Sequence, residues 1–104
     1  MAFKIEFIPQ AYEDFKNLDN SIKKQVAKKI DRLSENPFLG EPLKEKAGID
    51  LTGYYKLYVY NKKYRIIYRI VMDKIEVVEI WGIGRRDKEK IYKLVMNRIN
   101  SVNK

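Results

Sequence analysis

Residues 54–72 contain two stretches of alternating side chains separated by a short polar run, a pattern typical of a β-hairpin. The apolar side of the first stretch consists of Tyr55, Leu57 and Val59. A slip of one residue would turn a strand over and expose this side, so the apolar pattern selects one register, with a turn at Asn61 and Lys62. The predicted cross-strand pairs are Val59 with Tyr64, Leu57 with Ile66, Tyr55 with Tyr68 and Tyr58 with Arg65.

The other side of the predicted hairpin is rich in basic and phenolic side chains. It carries Tyr54, Lys56, Tyr58, Tyr60, Arg65 and Arg69. These residues are either solvated charges and tyrosines on an exposed sheet face, or a surface that binds a ligand. In both cases we expect Lys56, Tyr58 and Arg65 to form one cluster on the sheet face opposite the helix-packed core, with Arg86 at its border.

The chain has 104 residues, enough for one compact domain with a single core, which we assign to residues 1–104. No apolar run approaches the ~20 residues that a membrane span requires. The first residues also lack the long apolar stretch of a secretory signal. We therefore expect a cytoplasmic protein without a membrane partner.

The sequence contains 22 Lys and Arg residues against 14 Asp and Glu residues, a formal net charge of +8. Such an excess favours a polyanionic partner, either a nucleic acid or an acidic protein. The absence of cysteine and histidine removes thiolates, the usual general base and the commonest metal ligand. Catalysis would therefore use Lys, Arg, Tyr, Asp or Glu, and we predict no metal and no small-molecule cofactor.

Three segments have the apolar spacing of helices. The first follows Pro9 and extends to about Leu18, and the second begins after the capping residues 19–21 and ends at Pro37. The apolar stripe of the second consists of Ile22, Val26, Ile30 and Leu33. The third follows a cap at Asp87, and its apolar positions are Ile91, Leu94, Val95, Ile99 and Val102.

The remaining segments complete a fold prediction. Alternation over residues 3–7 predicts a first strand, and an irregular connection leads from the second helix to about Asp50. After the hairpin, a tight turn at Asp73 and Lys74 leads into another strand, which the chain leaves through residues 82–86. The order β-α-α-β-β-β-α predicts an α+β fold, an antiparallel sheet with helices packed mainly on one face.

The basic and phenolic residues suit the chemistry of a phosphodiester. The candidate set consists of Lys56, Tyr58, Arg65, Arg69, Arg85, Arg86 and Tyr92. Arginine matches phosphate oxygens and stabilises a pentacovalent transition state, a lysine whose pKa is lowered by neighbouring cations acts as a base, and tyrosine stacks on a nucleobase. RNA fits better than DNA because its 2′-hydroxyl is an internal nucleophile. Further RNA contacts are predicted at Tyr54, Lys28 and Lys29. Alternatively, the two lysines belong to the solvated face of a helix that packs on the core.

Several short motifs occur together in one order along the chain. They are Asn36-Pro37, Gly40, Leu43, Gly53-Tyr54-Tyr55-Lys56-Leu57, Tyr64-Arg65-Ile66-Ile67-Tyr68, Ile83-Gly84-Arg85-Arg86 and Ile91-Tyr92. With these motifs the chain resembles, over nearly its whole length, the RelE/ParE superfamily of toxins from prokaryotic toxin–antitoxin modules. The resemblance implies a small α+β toxin with a RelE-like fold.

In the RelE branch, the resemblance implies a ribosome-dependent endoribonuclease, an mRNA interferase that enters the ribosomal A site. It would cut the messenger through metal-independent attack by the 2′-hydroxyl and so inhibit translation. Lys56 would assist proton transfer, and Arg65 and Arg86 would hold the phosphate. Tyr92 would position or stack a nucleotide. RelE proteins often carry a second lysine two residues after the first, and this chain has Tyr58 there, which either takes over part of that role or lowers activity.

The ParE branch shares the scaffold but inhibits DNA gyrase without being a nuclease, so the fold alone does not decide the function. A general RNA-binding module is a further alternative. Retention of Lys56, Arg65, Arg86 and Tyr92 favours the nuclease. The expected partners are the ribosome, messenger RNA and a RelB-like antitoxin. The antitoxin would lay a helix or an extended segment across exposed sheet and helix surfaces, or add to an edge strand.

Overall fold

The computed structural model describes residues 3–46, 48–72, 76–85 and 90–102, and these form three α-helices and seven strands. In chain order the elements are β1 (Lys4–Phe7), α1 (Pro9–Lys16), α2 (Asn20–Glu35), a 3-10 helix (Pro37–Leu39), β2 (Glu41–Pro42), β3 (Glu45–Lys46), β4 (Ile49–Asp50), β5 (Tyr54–Val59), β6 (Tyr64–Met72), β7 (Glu76–Arg85) and α3 (Lys90–Val102). The α+β class and the order of the main elements agree with the prediction.

Five strands form one sheet in the order β1-β7-β6-β5-β2, and β3 and β4 form a separate two-stranded ribbon. The sheet is mixed, because β1 runs parallel to β7, with Lys4 opposite Val77. An antiparallel sheet was predicted. Side-chain alternation has the same period in parallel and antiparallel strands, so the sequence pattern carries no information on strand direction.

The hairpin of β5 and β6 has the predicted register. The observed pairs include Val59 with Tyr64, Tyr58 with Arg65, Leu57 with Ile66 and Tyr55 with Tyr68. The connection spans residues 60–63 and is closed by the amide of Lys63, which donates to the carbonyl of Tyr60 at 3.0 Å. The apolar pattern therefore selected the register correctly.

Helices α1 and α2 cover one face of the sheet. The predicted stripe of α2, consisting of Ile22, Val26, Ile30 and Leu33, is buried. It packs in a core that includes Ala11 from α1 and the strand residues Val59, Ile66, Tyr68, Val78 and Ile80. The even-numbered residues of β6 thus face these two helices, and the odd-numbered ones face the other side.

Helix α3 lies on that other side, where a second apolar cluster forms. Its members are Leu51, Ile67, Trp81, Ile91 and Val95. The chain was predicted to leave the strand through residues 82–86, but β7 continues through Gly82 and Gly84 to Arg85. A Cβ on Gly82 would lie 2.7 Å from Cγ2 of Val95, so the missing side chain is what lets α3 approach the sheet. Leu94 of α3 remains 41% exposed.

The connection predicted as irregular up to Asp50 contains the 3-10 helix and the strands β2, β3 and β4. Its first part is held against β6 by the buried hydroxyl of Tyr68, which donates to the carbonyl of Pro37 at 2.8 Å. The same hydroxyl accepts from the amide of Gly40 at 2.9 Å. A Cβ on Gly40 would lie 2.5 Å from this hydroxyl and from the carbonyl of Lys56, so only glycine fits here.

Two predicted features, the turn at Asp73 and Lys74 and the helix cap at Asp87, lie outside the described residues. Within the described ranges, no helix is both long enough and apolar enough to cross a membrane.

Candidate functional site

Arg65 is the centre of the candidate site. It lies on β6, and α3 and the β2–β4 segment enclose it so that only 9% of the residue is exposed. Its guanidinium carbon Cζ lies 5.3 Å from the ring centroid of Tyr58 and 4.9 Å from that of Tyr92. Two aromatic rings therefore contact the cation, an arrangement that stabilises the charge and restricts the side chain.

The Nε atom of Arg65 has no hydrogen-bond partner, and it is the one buried side-chain nitrogen or oxygen of the described residues in that condition. No carboxylate in the described part of the chain forms an ion pair with Arg65. Arg98 shows the contrast, because it donates to both carboxylate oxygens of Asp14, at 2.7 and 3.0 Å. Burying a cation without an anion is unfavourable, so the surroundings of Arg65 are suited to an anion supplied by a ligand.

Arg65 borders a cleft of about 340 Å³. The lining residues are Pro42, Leu43, Lys44, Glu45, Ile49, Leu51, Lys56, Arg65 and Tyr92. One wall comes from β2, β3 and β4, the connection whose structure the sequence pattern did not predict. The cleft combines three cationic side chains with an apolar wall, which suits a ligand that has both a phosphate and a nucleobase.

Lys56 lies beside Arg65 on the same face, as the register predicted. Its Nζ is 5.2 Å from the ring centroid of Tyr58 and 3.8 Å from Oε2 of Glu41. Glu41 belongs to the connection and was not predicted as a site residue, and strand β2 brings it directly opposite Lys56. The predicted cluster of Lys56, Tyr58 and Arg65 is therefore present, with Tyr92 added to it by α3.

The site is more enclosed than predicted. We expected an open surface opposite the helices, and instead α3 and the β2–β4 segment lie on this face. Among the described residues no group of three or more His, Cys, Asp and Glu side chains could hold a metal ion.

Tyr54 and Arg69 lie on the same face but belong to another group. Arg69 is paired with Glu79, the residue opposite it on β7, and its Cζ is 5.4 Å from the ring of Trp81. Burial opposes the charge of Arg69, but Glu79 outweighs it and raises the pKa of the guanidinium. Burial also raises the pKa of the Tyr54 hydroxyl, against the opposing charge of Arg69. The charge of Arg69 is thus already compensated within the protein.

The other predicted contacts are dispersed. Arg85 is opposite Tyr64 at the end of β7 and lines a separate pocket with Ile91 and Leu94 of α3, not the cleft of Arg65. Lys28 is exposed on α2, and Lys29 is half-buried next to the hairpin connection. Arg86 lies outside the described residues, so its predicted place at the border of the cluster stays a prediction.

A family model described as the ParE toxin of type II toxin–antitoxin systems, parDE, matches residues 5–90. The chain belongs to this toxin family. The resemblance to the RelE/ParE superfamily inferred from the motifs is thereby confirmed.

The toxin is similar to the mRNA interferase toxin RelE of Escherichia coli strain K12, with 26% identity over 99 residues, which are 95% of this chain and 99% of the relative. A mutant of E. coli RelE in the free state has the same fold, with a TM-score of 0.73 and 23% identity over 95% of this chain and 99% of that one. The RelBE2 toxin–antitoxin complex of Mycobacterium tuberculosis also matches, with a TM-score of 0.67 and 26% identity over 83% of this chain and 100% of that one.

Proposed function

We propose that this toxin is an mRNA interferase that cuts messenger RNA in the ribosomal A site and so inhibits translation. The observation that carries the proposal is Arg65, a buried cation held between Tyr58 and Tyr92 whose Nε lacks a partner beside the cleft. A phosphodiester would supply the missing anion. The similarity to the mRNA interferase toxin RelE supports RNA as the source of that phosphodiester.

In the proposed reaction, the 2′-hydroxyl oxygen of the messenger bonds to the adjacent phosphorus while the bond from phosphorus to the 5′-oxygen breaks. The 2′-hydroxyl loses its proton and the departing 5′-oxygen gains one, which leaves a 2′,3′-cyclic phosphate and a 5′-hydroxyl. Arg65 would stabilise the charge that develops on the non-bridging oxygens, because its guanidinium is already oriented and needs no rearrangement. Lys56, close enough to contact Tyr58, would assist the proton transfer.

The other roles follow from placement and from the family. Tyr92 would stack on or position a nucleotide, since its ring borders the cleft. Tyr58 replaces the second lysine common in RelE proteins, and its ring would order Lys56 and Arg65. Arg86 remains a candidate for a second contact to the phosphate.

A RelB-like antitoxin is the proposed protein partner, and the cytoplasm is the proposed location. Support for the antitoxin comes from the matched RelBE2 structure, which is a toxin–antitoxin complex. The net charge of +8 favours an acidic segment that covers part of the basic cleft.

The decisive experiment is primer extension on a translated messenger with purified toxin and ribosomes. We expect cuts confined to translated codons, and a decrease in cleavage rate of roughly a hundredfold or more in Arg65→Ala. Arg32→Ala is the matched control, since it removes an exposed arginine of α2 outside the cleft. Arg65 has no ion pair to lose within the described chain, but its contacts with Tyr58 and Tyr92 are lost, so its variant should retain a free energy of unfolding within about 2 kcal/mol of wild type.

Gyrase inhibition is the second candidate, favoured by the match to the ParE family model. A supercoiling assay with purified gyrase separates the two functions. Inhibited supercoiling with intact messenger would replace the nuclease proposal. An Arg65→Ala variant that unfolds, yet keeps the wild-type cleavage rate per folded molecule, would show that Arg65 is structural.

A further inference from the structure

A second cleft lies at the end of the hairpin and is bordered by Tyr58, whose ring also contacts Arg65. We call it the turn cleft, and its lining residues are Gln25, Lys29, Tyr58, Val59, Tyr60, Asn61 and Lys62. Gln25 and Lys29 come from successive turns of the same face of α2, and the others come from β5 and the hairpin connection. Strand β2 pairs only with Tyr55 and Lys56 of β5, so the cleft follows the part of β5 that no strand of the described chain covers.

The turn cleft is cationic and aromatic. Its lining includes Lys29, Lys62 and two tyrosines but no carboxylate. Within the described residues, neither lysine forms an ion pair. Lysines without nearby acids attract phosphates, and exposed tyrosine rings stack on nucleobases of any sequence. This combination is typical of a surface that binds single-stranded nucleic acid.

Tyr58 joins the turn cleft to the candidate active site. The Nζ of Lys56 is 5.2 Å from its ring centroid, and the Nζ of Lys62 is 5.9 Å from the same centroid. Arg65 also contacts this ring. Three cations therefore surround one aromatic side chain, and their mutual repulsion is relieved if phosphates of one strand lie among them.

The backbone of the hairpin connection has an unusual conformation. Tyr60, Asn61 and Lys62 have successive φ angles of 56°, 53° and 66°, in the left-handed region. Asn adopts this region readily, whereas Tyr and Lys do so rarely, and such conformations persist where surrounding contacts maintain them. Tyr60, which lines the cleft, is 40% exposed.

We propose that the turn cleft binds the messenger next to the cleaved phosphodiester, with Lys29 and Lys62 each on one of two flanking phosphates and Tyr60 stacked on a base. This inference rests on the proposed function, because it assigns a second contact for the same RNA. The turn cleft would fix which phosphodiester of a codon reaches Arg65, and it would raise affinity without taking part in the chemistry.

The test uses fluorescence anisotropy with a labelled single-stranded 2′-O-methyl RNA of twelve nucleotides, which lacks the 2′ nucleophile and cannot be cut. The double variant Lys29→Gln with Lys62→Gln should bind roughly tenfold more weakly at low salt. Its slope of log affinity against log salt should decrease in magnitude by about 1.4, since each contacted phosphate contributes about 0.7 for single strands. The matched control is Lys4→Gln with Lys24→Gln, which removes the same charge from β1 and from an exposed position of α2 outside the cleft.

A third variant, Tyr60→Leu, should weaken binding several-fold and leave the salt slope unchanged, because stacking involves no counterion release. If the lysine double variant and the control give equal affinities and equal slopes, the inference is wrong. A double variant that binds the oligonucleotide normally but loses affinity for ribosomes, or for an acidic antitoxin, would assign the cleft to that partner and also overturn it.

The same variants separate this inference from the proposed function. In the ribosomal primer-extension assay, the double variant should require more toxin for half-maximal cleavage and retain the maximal rate. Wild-type toxin that binds RNA through the turn cleft but never cuts messenger would refute the nuclease alone. If the double variant cleaves like wild type at every toxin concentration, the proposal that the turn cleft binds the messenger is wrong, and the nuclease proposal is unaffected.

Discussion

Tyr68→Phe removes one buried hydroxyl and leaves the ring in place. The hydroxyl donates to the carbonyl of Pro37 and accepts from the amide of Gly40, and Tyr68 is fully buried. A hydrogen bond contributes about 0.5–1.5 kcal/mol, and a buried partner left unpaired costs about 1–3 kcal/mol. We therefore expect the free energy of unfolding to fall by roughly 2–3 kcal/mol. Tyr55→Phe is the control, since Tyr55 stacks on the same ring at 5.5 Å and its hydroxyl makes no bond to the 37–40 segment.

The difference in free energy of unfolding between wild type and Tyr68→Phe should also depend on pH, which gives an independent check. Burial raises the pKa of the Tyr68 hydroxyl to about 12, against the opposing hydrogen bond from Gly40. The unfolded chain releases this proton near pH 10, so the stabilisation is complete below pH 10 and is lost as the pH rises from about 10 to about 12. Tyr68→Phe has no such proton. The difference in free energy of unfolding between wild type and this variant should therefore decrease as the pH rises from about 10 to about 12.

Urea denaturation followed by the fluorescence of Trp81, the single tryptophan, measures both effects. A change below about 0.5 kcal/mol at pH 7 would mean that the hydroxyl does not hold the connection to the sheet. A gap between Tyr68→Phe and wild type that stays constant up to pH 12 would contradict the burial of the hydroxyl.

Two further predictions concern packing and charge away from the cleft. Asp14→Ala should lower the free energy of unfolding by about 3 kcal/mol in urea denaturation, because it leaves Arg98, whose side chain is 11% exposed, without its carboxylate. A loss below about 1 kcal/mol would show that water replaces this pair easily. Leu33→Ala should cost about 2–5 kcal/mol, since Leu33 is fully buried, and Leu94→Ala, at a residue 41% exposed, should cost less than about 1 kcal/mol. Equal decreases in melting temperature for Leu33→Ala and Leu94→Ala would contradict the difference in burial between these two residues.

The hairpin and its register were predictable because information about them is local. A strand alternates with a period of two, and only one alignment buries Leu57, Val59 and Ile66 together. That alignment also brings Lys56 and Arg65 to one face, so half of the candidate site followed from a stretch of about twenty residues. The stripe of α2 was predictable for the same reason, with a helical period.

What could not be predicted depends on contacts between distant parts of the chain. The enclosure of Arg65 requires α3 on its face of the sheet, and Gly82 permits that approach by lacking a side chain. A glycine in a strand is compatible either with a flexible segment or with the close approach of another element, so the sequence could not distinguish these two explanations. Arg85 was grouped with Arg65 because both are basic, whereas Arg85 lies at the end of β7 and lines a different pocket.

The parallel pairing of β1 with β7 has a consequence for how the chain folds during synthesis. Lys4 is opposite Val77, so the first strand remains unpaired until most of the chain has left the ribosome. Contacts between residues so far apart in sequence close slowly, because a long loop must be ordered before any contact forms. The hairpin of β5 and β6 and helix α2 depend on contacts close in sequence, so they can form without this delay. We infer that β1 joins the sheet late, and that the free edge of β7 is exposed on nascent chains until it does.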